Sequence, residues 1–189
     1  MSVSPYLVCP SFKSEQFVYR LVQEEDAADL LECYSDPASI ALFNSDNCYD
    51  DFNYQTIEEM SSCIRVWLKE YKGQGYIRFS IVEMKSNKAI GTIEFFAKRE
   101  RVEGLGDIGI LRLDLLSSFE SEGNITEILS LIEKEFYDYF DVDAIITKAI
   151  SKAESRILAL LRRGYSKIKE TSWAPFNDYY IIMRHKREA

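Results

Sequence analysis

Two carboxylates in the sequence stand where a strand can present a proton acceptor. Glu94 lies within the predicted strand 89–96, and Asp107 comes directly before the predicted strand 108–116. A carboxylate that accepts a proton near neutral pH needs a raised pKa, which burial or a neighbouring like charge provides. Each residue is therefore either a candidate general base or an ordinary exposed carboxylate on a strand.

A second chemical candidate is the strand, polar loop and helix predicted within residues 107–140. The first N–H groups of a helix have no partner inside the helix and carry partial positive charge, so they bind anions. The helix is expected to begin near Asn124 after a glycine-bearing loop, with Asn124 as the N-cap and Glu127 reaching back to it. The alternative is a βα unit without a ligand, as in any α/β protein.

The remaining residue types argue against metal and nucleophile chemistry. The four cysteines include no C-x-x-C spacing, and the single histidine, His185, lies in a basic tail. We therefore expect no metal site and no Cys–His or Ser–His nucleophile. The first residues lack a charged segment followed by a long apolar core, which favours a cytoplasmic protein with free thiols over an exported one with two disulfides.

Composition restricts the possible partners. The 189 residues, 47% of them hydrophobic, suit one domain with a real core. A net charge of -8 disfavours nucleic acid as a partner, because phosphate contacts need clustered Lys and Arg. No run approaches the ~18 apolar residues of a membrane span, so we expect no membrane partner. The acidic run at Asp46, Asp50 and Asp51 is either a solvated loop or an attraction for a cationic amine.

The periodicity predicts a single α/β domain over residues 1–189, with residues 1–15 as a loosely ordered arm. The predicted order of elements is β, α, α, β, β, β, α, β, α, β, β. Thr56 and Ser151 are expected to begin helices as capping boxes, each with a glutamate three residues later. Residues 98–106 are expected to form a loop. Gly91, inside a predicted strand, indicates a bulge or a close backbone neighbour.

Three local patterns within residues 17–183 are shared with a known family. They are residues 89–93, residues 113–125 with the helix that follows, and residues 155–165, where an apolar helix ends in a glycine and an aromatic residue. Together with the element order, they resemble the GNAT superfamily of acetyl-CoA-dependent N-acyltransferases, and more weakly its branch that acetylates ribosomal-protein N-termini. The resemblance implies an α/β fold with a mixed, mostly antiparallel central sheet, splayed strands four and five, and helices on both faces.

The resemblance also implies a reaction. The chain is expected to transfer an acetyl group from acetyl-CoA to a primary amine, on a protein N-terminus or a small molecule, by direct attack, and to act as a monomer or homodimer. Leu113 and Leu115 on strand four would line the pantetheine arm. The other implied cofactor contacts are the phosphate-binding amides of Gly123, Asn124 and Ile125 and the distal contacts of Lys152 and Ser155.

Departures from the family pattern favour an alternative. The family loop has Gln or Arg where Glu120 stands and Gly or Ala where Ile125 stands. Lys152 takes the place of the family's usual Asn, and Leu160 takes the place of the Tyr that commonly acts as the acid. Glu120 and Glu122 also bring carboxylates to a loop that should attract phosphates, and like charges repel by about 1 kcal/mol at ~4 Å in water. The alternative is a GNAT-fold protein that has lost acetyl transfer and serves as a binding module.

Overall fold

The computed structural model describes residues 4–43, 52–102, 104–169 and 178–184, without the side chains of 99–102. The strands in these ranges are β1 (Phe12–Lys13), β2 (Phe17–Leu21), β3 (Ile77–Glu83), β4 (Lys88–Val102), β5 (Gly106–Leu115), β6 (Ala144–Lys148), β7 (Ser166–Lys167) and β8 (Tyr179–Met183). The helices are α1 (Ala27–Ser35), α2 (Pro37–Ile40), α3 (Ile57–Lys72), α4 (Glu122–Phe140) and α5 (Glu154–Arg162). The order adds β1 and α2 to the predicted elements.

All the described strands join one sheet in the order β1-β2-β3-β4-β5-β6-β8-β7. Neighbouring strands are antiparallel except β5 and β6, which run parallel. Side chains of α1 and α3 form one core cluster with the sheet, and side chains of α4 and α5 form a second cluster that contains most of the apolar strand residues. The predicted mixed, mostly antiparallel sheet with helices on both faces is therefore confirmed.

The parallel pair separates partway along its length. The pairing of β5 with β6 begins at Ile108 and Ala144 and ends at Leu111 and Thr147. Strand β5 continues to Leu115, still paired with β4 on its other side. The two strands predicted to splay therefore do so, and the cleft between them opens after Leu111.

Helix α4 fills the larger core because its apolar residues recur at helical spacing. Its buried side chains are Ile125, Ile128, Leu129, Leu131, Ile132, Phe136, Tyr137 and Phe140. Phe95 on β4 packs against this helix, with its ring centroid 4.9 Å from that of Phe136 and 4.5 Å from that of Phe140. Gly109 makes room for Phe95, since a Cβ atom at Gly109 would lie 2.2 Å from the Phe95 ring.

One predicted helix cap is confirmed and two are wrong. Thr56 and Glu59 form the expected capping box at the start of α3. Helix α4 begins at Glu122 rather than near Asn124, because the side chain of Ser121 already accepts the N–H of Asn124. Helix α5 begins one residue before Ser155, with Ala153 as N-cap and no side-chain cap, so the Ser151 box does not form.

Two other expectations are corrected. The N-terminal arm includes β1, which pairs with β2 and buries Phe12 against Phe79 and Phe136. Residues 98–106 are not simply a loop, because β4 continues through Lys98 to Val102 and Val102 pairs with Gly106. Neither feature shows a hydrophobic alternation of useful length, which is the signal that sequence reading depends on.

The prediction for Gly91 is confirmed in both of its forms. The register of β3 and β4 shifts beside it, between Ile81 and Val82, and a Cβ atom at Gly91 would lie 2.2 Å from the backbone oxygen of Asp114. We expect Gly91→Ala to lower the free energy of unfolding by about 1–3 kcal/mol, because the neighbouring backbone cannot move aside cheaply.

Urea denaturation measures this effect, and Gly123→Ala is the matched control. A Cβ atom at Gly123 meets nothing within 4 Å. The position is helical, so the control should be unchanged or more stable by up to about 1 kcal/mol. Equal stability of the two variants would contradict the close approach at Gly91.

Candidate active site

The cleft between β5 and β6 exposes a backbone edge. Beyond Leu111, no described strand pairs with β5 on the side that faced β6. Leu113 and Leu115, the residues expected to line a cofactor arm, are buried in the core beside α4. They can therefore offer the cleft only their backbone groups.

An arginine from α5 reaches into this cleft. Arg156 is 3% exposed, and its Nη1 donates to the Leu113 carbonyl oxygen at 2.8 Å. Its Nε and Nη2 donate to the two carboxylate oxygens of Glu120, each at 2.8 Å. A longer contact of 3.4 Å joins Nη1 to the Leu42 carbonyl oxygen. One guanidinium therefore links α5, the edge of β5 and the segment that leads to α4.

Sequence reasoning missed Arg156, although a signal was present. Arg156, Ala159 and Leu160 are three and four residues apart, so they share one face of α5, and all three are buried. An arginine on the buried face of a helix needs an anionic partner. Glu120, read from the sequence only as a source of repulsion, is that partner.

The start of α4 is less acidic in effect than the sequence suggests. Glu122, which is half-buried, forms a salt bridge with the exposed Arg162 of α5 at 2.8 Å. Together with the Arg156–Glu120 pair, this means that both glutamates beside the predicted phosphate loop are paired with arginines from the same helix. The repulsion that each carboxylate exerts on an incoming phosphate is offset by the neighbouring guanidinium.

The three residues predicted to bind phosphate differ in how accessible they are to a ligand. Gly123 lies in the first turn of α4 with open space around it. The Asn124 backbone N–H is taken by the Ser121 hydroxyl, and the Asn124 side chain donates to the Phe119 carbonyl at 3.1 Å. The Ile125 backbone N–H donates to the Ser121 carbonyl oxygen at 3.0 Å, and its side chain is fully buried in the core. Gly123 is therefore the member of the three with free access to a ligand.

The two predicted distal contacts lie at the start of α5. Lys152 is exposed in the turn before the helix, and Ser155 is half-buried in its first turn. Both are close in the chain to Arg156. Their contacts with a cofactor remain a prediction.

The sheet face that packs against α1 and α3 carries a group of polar side chains that are buried or nearly so. Cross-strand pairing arranges them in two rows of three: Arg78, Glu94 and Arg112, then Ser80, Thr92 and Asp114. Residues two apart in a strand point to the same face of the sheet, so the two rows lie side by side on one face.

Asp114 is the centre of this network and is completely buried. Its Oδ2 accepts from Arg78 Nη1 at 3.1 Å, from Arg112 Nε at 3.0 Å and from the Tyr34 hydroxyl at 2.9 Å. Burial alone would raise the pKa of Asp114, but the guanidinium groups of Arg112 and Arg78 hold that pKa below its usual value. Arg78 also forms an ion pair with Glu94.

Aromatic rings stabilise both guanidinium groups. The Arg78 guanidinium lies 4.4 Å from the centroid of the Trp67 ring, and that of Arg112 lies 4.1 Å from the centroid of the Phe52 ring. A cation over an aromatic face is attracted by the ring quadrupole. The network is therefore a layer of charged side chains between the sheet and helices α1 and α3.

A cavity of about 850 Å³ lies beside the network, between α3 and the sheet. Its carboxylates are Glu58, Glu59 and Glu70 from α3 and Glu94 from β4. Its aromatic side chains are Phe52, Tyr54, Trp67, Tyr76 and Phe96. Carboxylates attract a cation and aromatic faces stabilise it, so the cavity suits a protonated amine.

The two base candidates fall in different places. Glu94 lines the cavity. Asp107 lies at the far end of β5, where its backbone N–H donates to Asp143 at 3.0 Å. At about 3.3 Å per residue, Asp107 is roughly 13 Å along the strand from Leu111, where the cleft opens. Of the two candidates, Glu94 therefore lines a cavity, and Asp107 lies at the other end of β5 from Leu115.

Two other expectations concern metals and membranes. The described residues contain no group of three or more His, Cys, Asp or Glu side chains placed to hold a metal ion. In the same part of the chain, no helix combines the length and the apolarity needed to cross a membrane. His185, Cys48 and the acidic run 46–51 fall outside the described residues.

Comparisons with known proteins agree with this geometry. The family model described as an acetyltransferase (GNAT) domain matches residues 16–163. A comparison with curated protein sequences found no match.

Solved structures share the fold at low sequence identity. An acetyltransferase of the GNAT family from Bacillus anthracis superposes with a TM-score of 0.68 at 14% identity, covering 93% of this chain and 99% of that one. The ribosomal-protein-S5-alanine acetyltransferase from Vibrio fischeri also gives 0.68, at 15% identity, covering 95% of this chain and 100% of that one. The ribosomal L7/L12 alpha-N-protein acetyltransferase RimL gives 0.68 at 12% identity, covering 92% and 94%.

The family model spans most of the chain, and the splayed strands, the helix order and the sheet order agree with it. This chain belongs to the GNAT acetyltransferase family.

Proposed function

We propose that this protein transfers the acetyl group of acetyl-CoA to a primary amine, either a protein N-terminus or a small-molecule amine. The observation that carries the proposal is the unpaired edge of β5 beyond Leu111. A free strand edge binds an extended chain through backbone hydrogen bonds, and pantetheine is an extended chain with two amides. The arm would lie along Leu113 and Leu115, with its phosphates towards Gly123.

The amine would enter through the acidic cavity. Its carboxylates draw in the ammonium form, and Glu94 accepts a proton so that the free amine can attack. The amine nitrogen forms a bond to the thioester carbonyl carbon and the carbon–sulfur bond breaks. The proton that the nitrogen then loses passes to the departing thiolate. Glu94 is now held by Arg78, so an entering ammonium group would compete with Arg78 for the same carboxylate.

An assay of thiol release tests this function. Purified protein is incubated with acetyl-CoA and a panel of amines that includes short peptides with free N-termini and aliphatic diamines. We expect free coenzyme A to appear only when an accepted amine is present, with a matching gain of one acetyl group on that amine by mass spectrometry. Thiol release at the same rate without any amine would contradict direct transfer.

A second function is favoured by one observation. Arg156 already occupies the Leu113 carbonyl, which is part of the edge that a cofactor arm would use. A protein whose cleft stays closed in this way would be a binding module without acetyl transfer. It would bind a cationic ligand in the acidic cavity and release no thiol from acetyl-CoA with any amine of the panel.

We also propose that the chain works as one domain in the cytoplasm, as a monomer or a homodimer. Both core clusters share the single sheet, which supports one folding unit. Light scattering after size-exclusion chromatography measures the oligomeric state directly.

A further inference from the structure

Helix α5 supplies one arginine to each of the two glutamates at the start of α4. Arg156 pairs with Glu120 in a buried position, and Arg162 pairs with Glu122 in an exposed one. The two pairs have the same chemistry and differ in burial. They therefore provide an internal comparison between a pair in the cleft and a pair outside it.

The buried pair has complete hydrogen bonding. Both oxygens of Glu120 accept from Arg156 in a parallel, two-pronged arrangement, and the remaining terminal nitrogen donates to Leu113. The side chains are 3% exposed for Arg156 and 7% for Glu120. Removing one partner of such a pair leaves an uncompensated buried charge, so Glu120 cannot leave unless another anion replaces it.

A phosphate group is the anion that fits this position. The guanidinium fork matches the oxygens of a carboxylate and those of a phosphate with the same two-pronged geometry. Glu120 directly precedes Ser121, the N-cap of α4. An anion that replaced the Glu120 carboxylate would therefore also lie near the positive end of the helix dipole.

We propose that Arg156 is a phosphate-binding residue for the cofactor and that the Glu120 carboxylate takes the place of the phosphate while the site is empty. This inference rests on the proposed function, since it assumes that a coenzyme A thioester enters the cleft.

Calorimetric titration of full-length variants tests the exchange with two probes. The probes are coenzyme A and S-acetylpantetheine, which has the same arm without the pyrophosphate and the nucleotide. Glu120→Gln should bind coenzyme A about tenfold more tightly than wild type, because the competing charge is gone. Arg156→Gln should bind coenzyme A at least about tenfold more weakly.

The controls separate charge in the cleft from charge near it. Glu122→Gln and Arg162→Gln change the exposed pair and should shift the coenzyme A affinity by no more than about twofold. The gain in affinity that Glu120→Gln shows for coenzyme A should be smaller or absent for S-acetylpantetheine, because that probe has no pyrophosphate. Arg156→Lys keeps the charge without the fork and should fall between wild type and Arg156→Gln, which also covers the case in which Arg156→Gln fails to fold.

The outcomes are distinct. Coenzyme A binding by Arg156→Gln as tight as or tighter than wild type, in a folded sample, would show that Arg156 only blocks the cleft and would overturn the inference. Unchanged affinity in Glu120→Gln would overturn it as well. If neither wild type nor any variant binds coenzyme A, the proposed function fails and the exchange fails with it.

Discussion

Asp114→Ala is expected to lower the free energy of unfolding by about 3–5 kcal/mol, because the change removes the shared partner of two buried guanidinium groups. Arg78 and Arg112 both donate to the Asp114 carboxylate, and Arg78 is 1% exposed. The Tyr34 hydroxyl, also buried, loses one of its hydrogen-bond partners at the same time and keeps Thr92.

Urea denaturation followed by circular dichroism measures this loss. The control is Arg65→Ala, which removes an exposed ion pair to Glu24 at 3.4 Å. Exposed pairs contribute about 0–1 kcal/mol, so the control should stay close to wild type. A loss below about 1 kcal/mol for Asp114→Ala would mean that water or rearrangement satisfies both arginines.

The same carboxylate contributes to acid sensitivity. The pKa of Asp114 is lower in the folded protein than its usual value of 3.8. The unfolded state therefore binds the proton first, and the stabilisation is fully present above the unfolded pKa. It is lost as the pH falls below that value and through the folded pKa. Asp114→Asn removes this contribution, so its stability should fall less steeply than that of wild type below about pH 4.

Glu94→Gln is expected to reduce the rate of acetyl transfer by about 10²–10⁴-fold, the usual effect of removing a general base. The amide keeps the size of the side chain and an oxygen that can still accept from Arg78. The change in KM for the amine should be small by comparison, since the α3 carboxylates of the cavity remain. Steady-state thiol release with a saturating amine measures both constants.

Asp107→Asn is the matched control for Glu94→Gln, because Asp107 lies at the far end of β5. Its turnover should match that of wild type. If Asp107→Asn loses activity and Glu94→Gln keeps it, the roles of the two candidates are reversed. If both keep full activity, the proton leaves by another route.

The fold was accessible to sequence reasoning where periodicity was long. Helix α4 shows six apolar positions at helical spacing, and the apolar residues of β5 and β6 are bounded by loop residues. The first turn of α4 was misread because Ser121 and Asn124 are both good caps, and the choice depends on where the preceding chain turns. Strand β1 was missed because two residues carry no period.

The candidate site was less accessible, for a physical reason. Alternation along each strand shows only that Arg78 shares a face with Ser80, Thr92 with Glu94, and Arg112 with Asp114. The register between the three strands decides that these six residues are neighbours. The Arg156–Glu120 pair joins residues 36 positions apart. Without that contact, Glu120 could be read only as a charge that repels phosphate.

Titration of wild-type protein with acetyl-CoA in a calorimeter, at low and at moderate salt, tests the central claim most directly. We expect saturable binding in roughly the micromolar range. The affinity should fall at moderate salt, because phosphates held by Arg156 and by the start of α4 are partly screened. Absence of binding at both salt concentrations, in a sample shown to be folded, would contradict the acetyl-CoA site and leave the acidic cavity as the site to pursue.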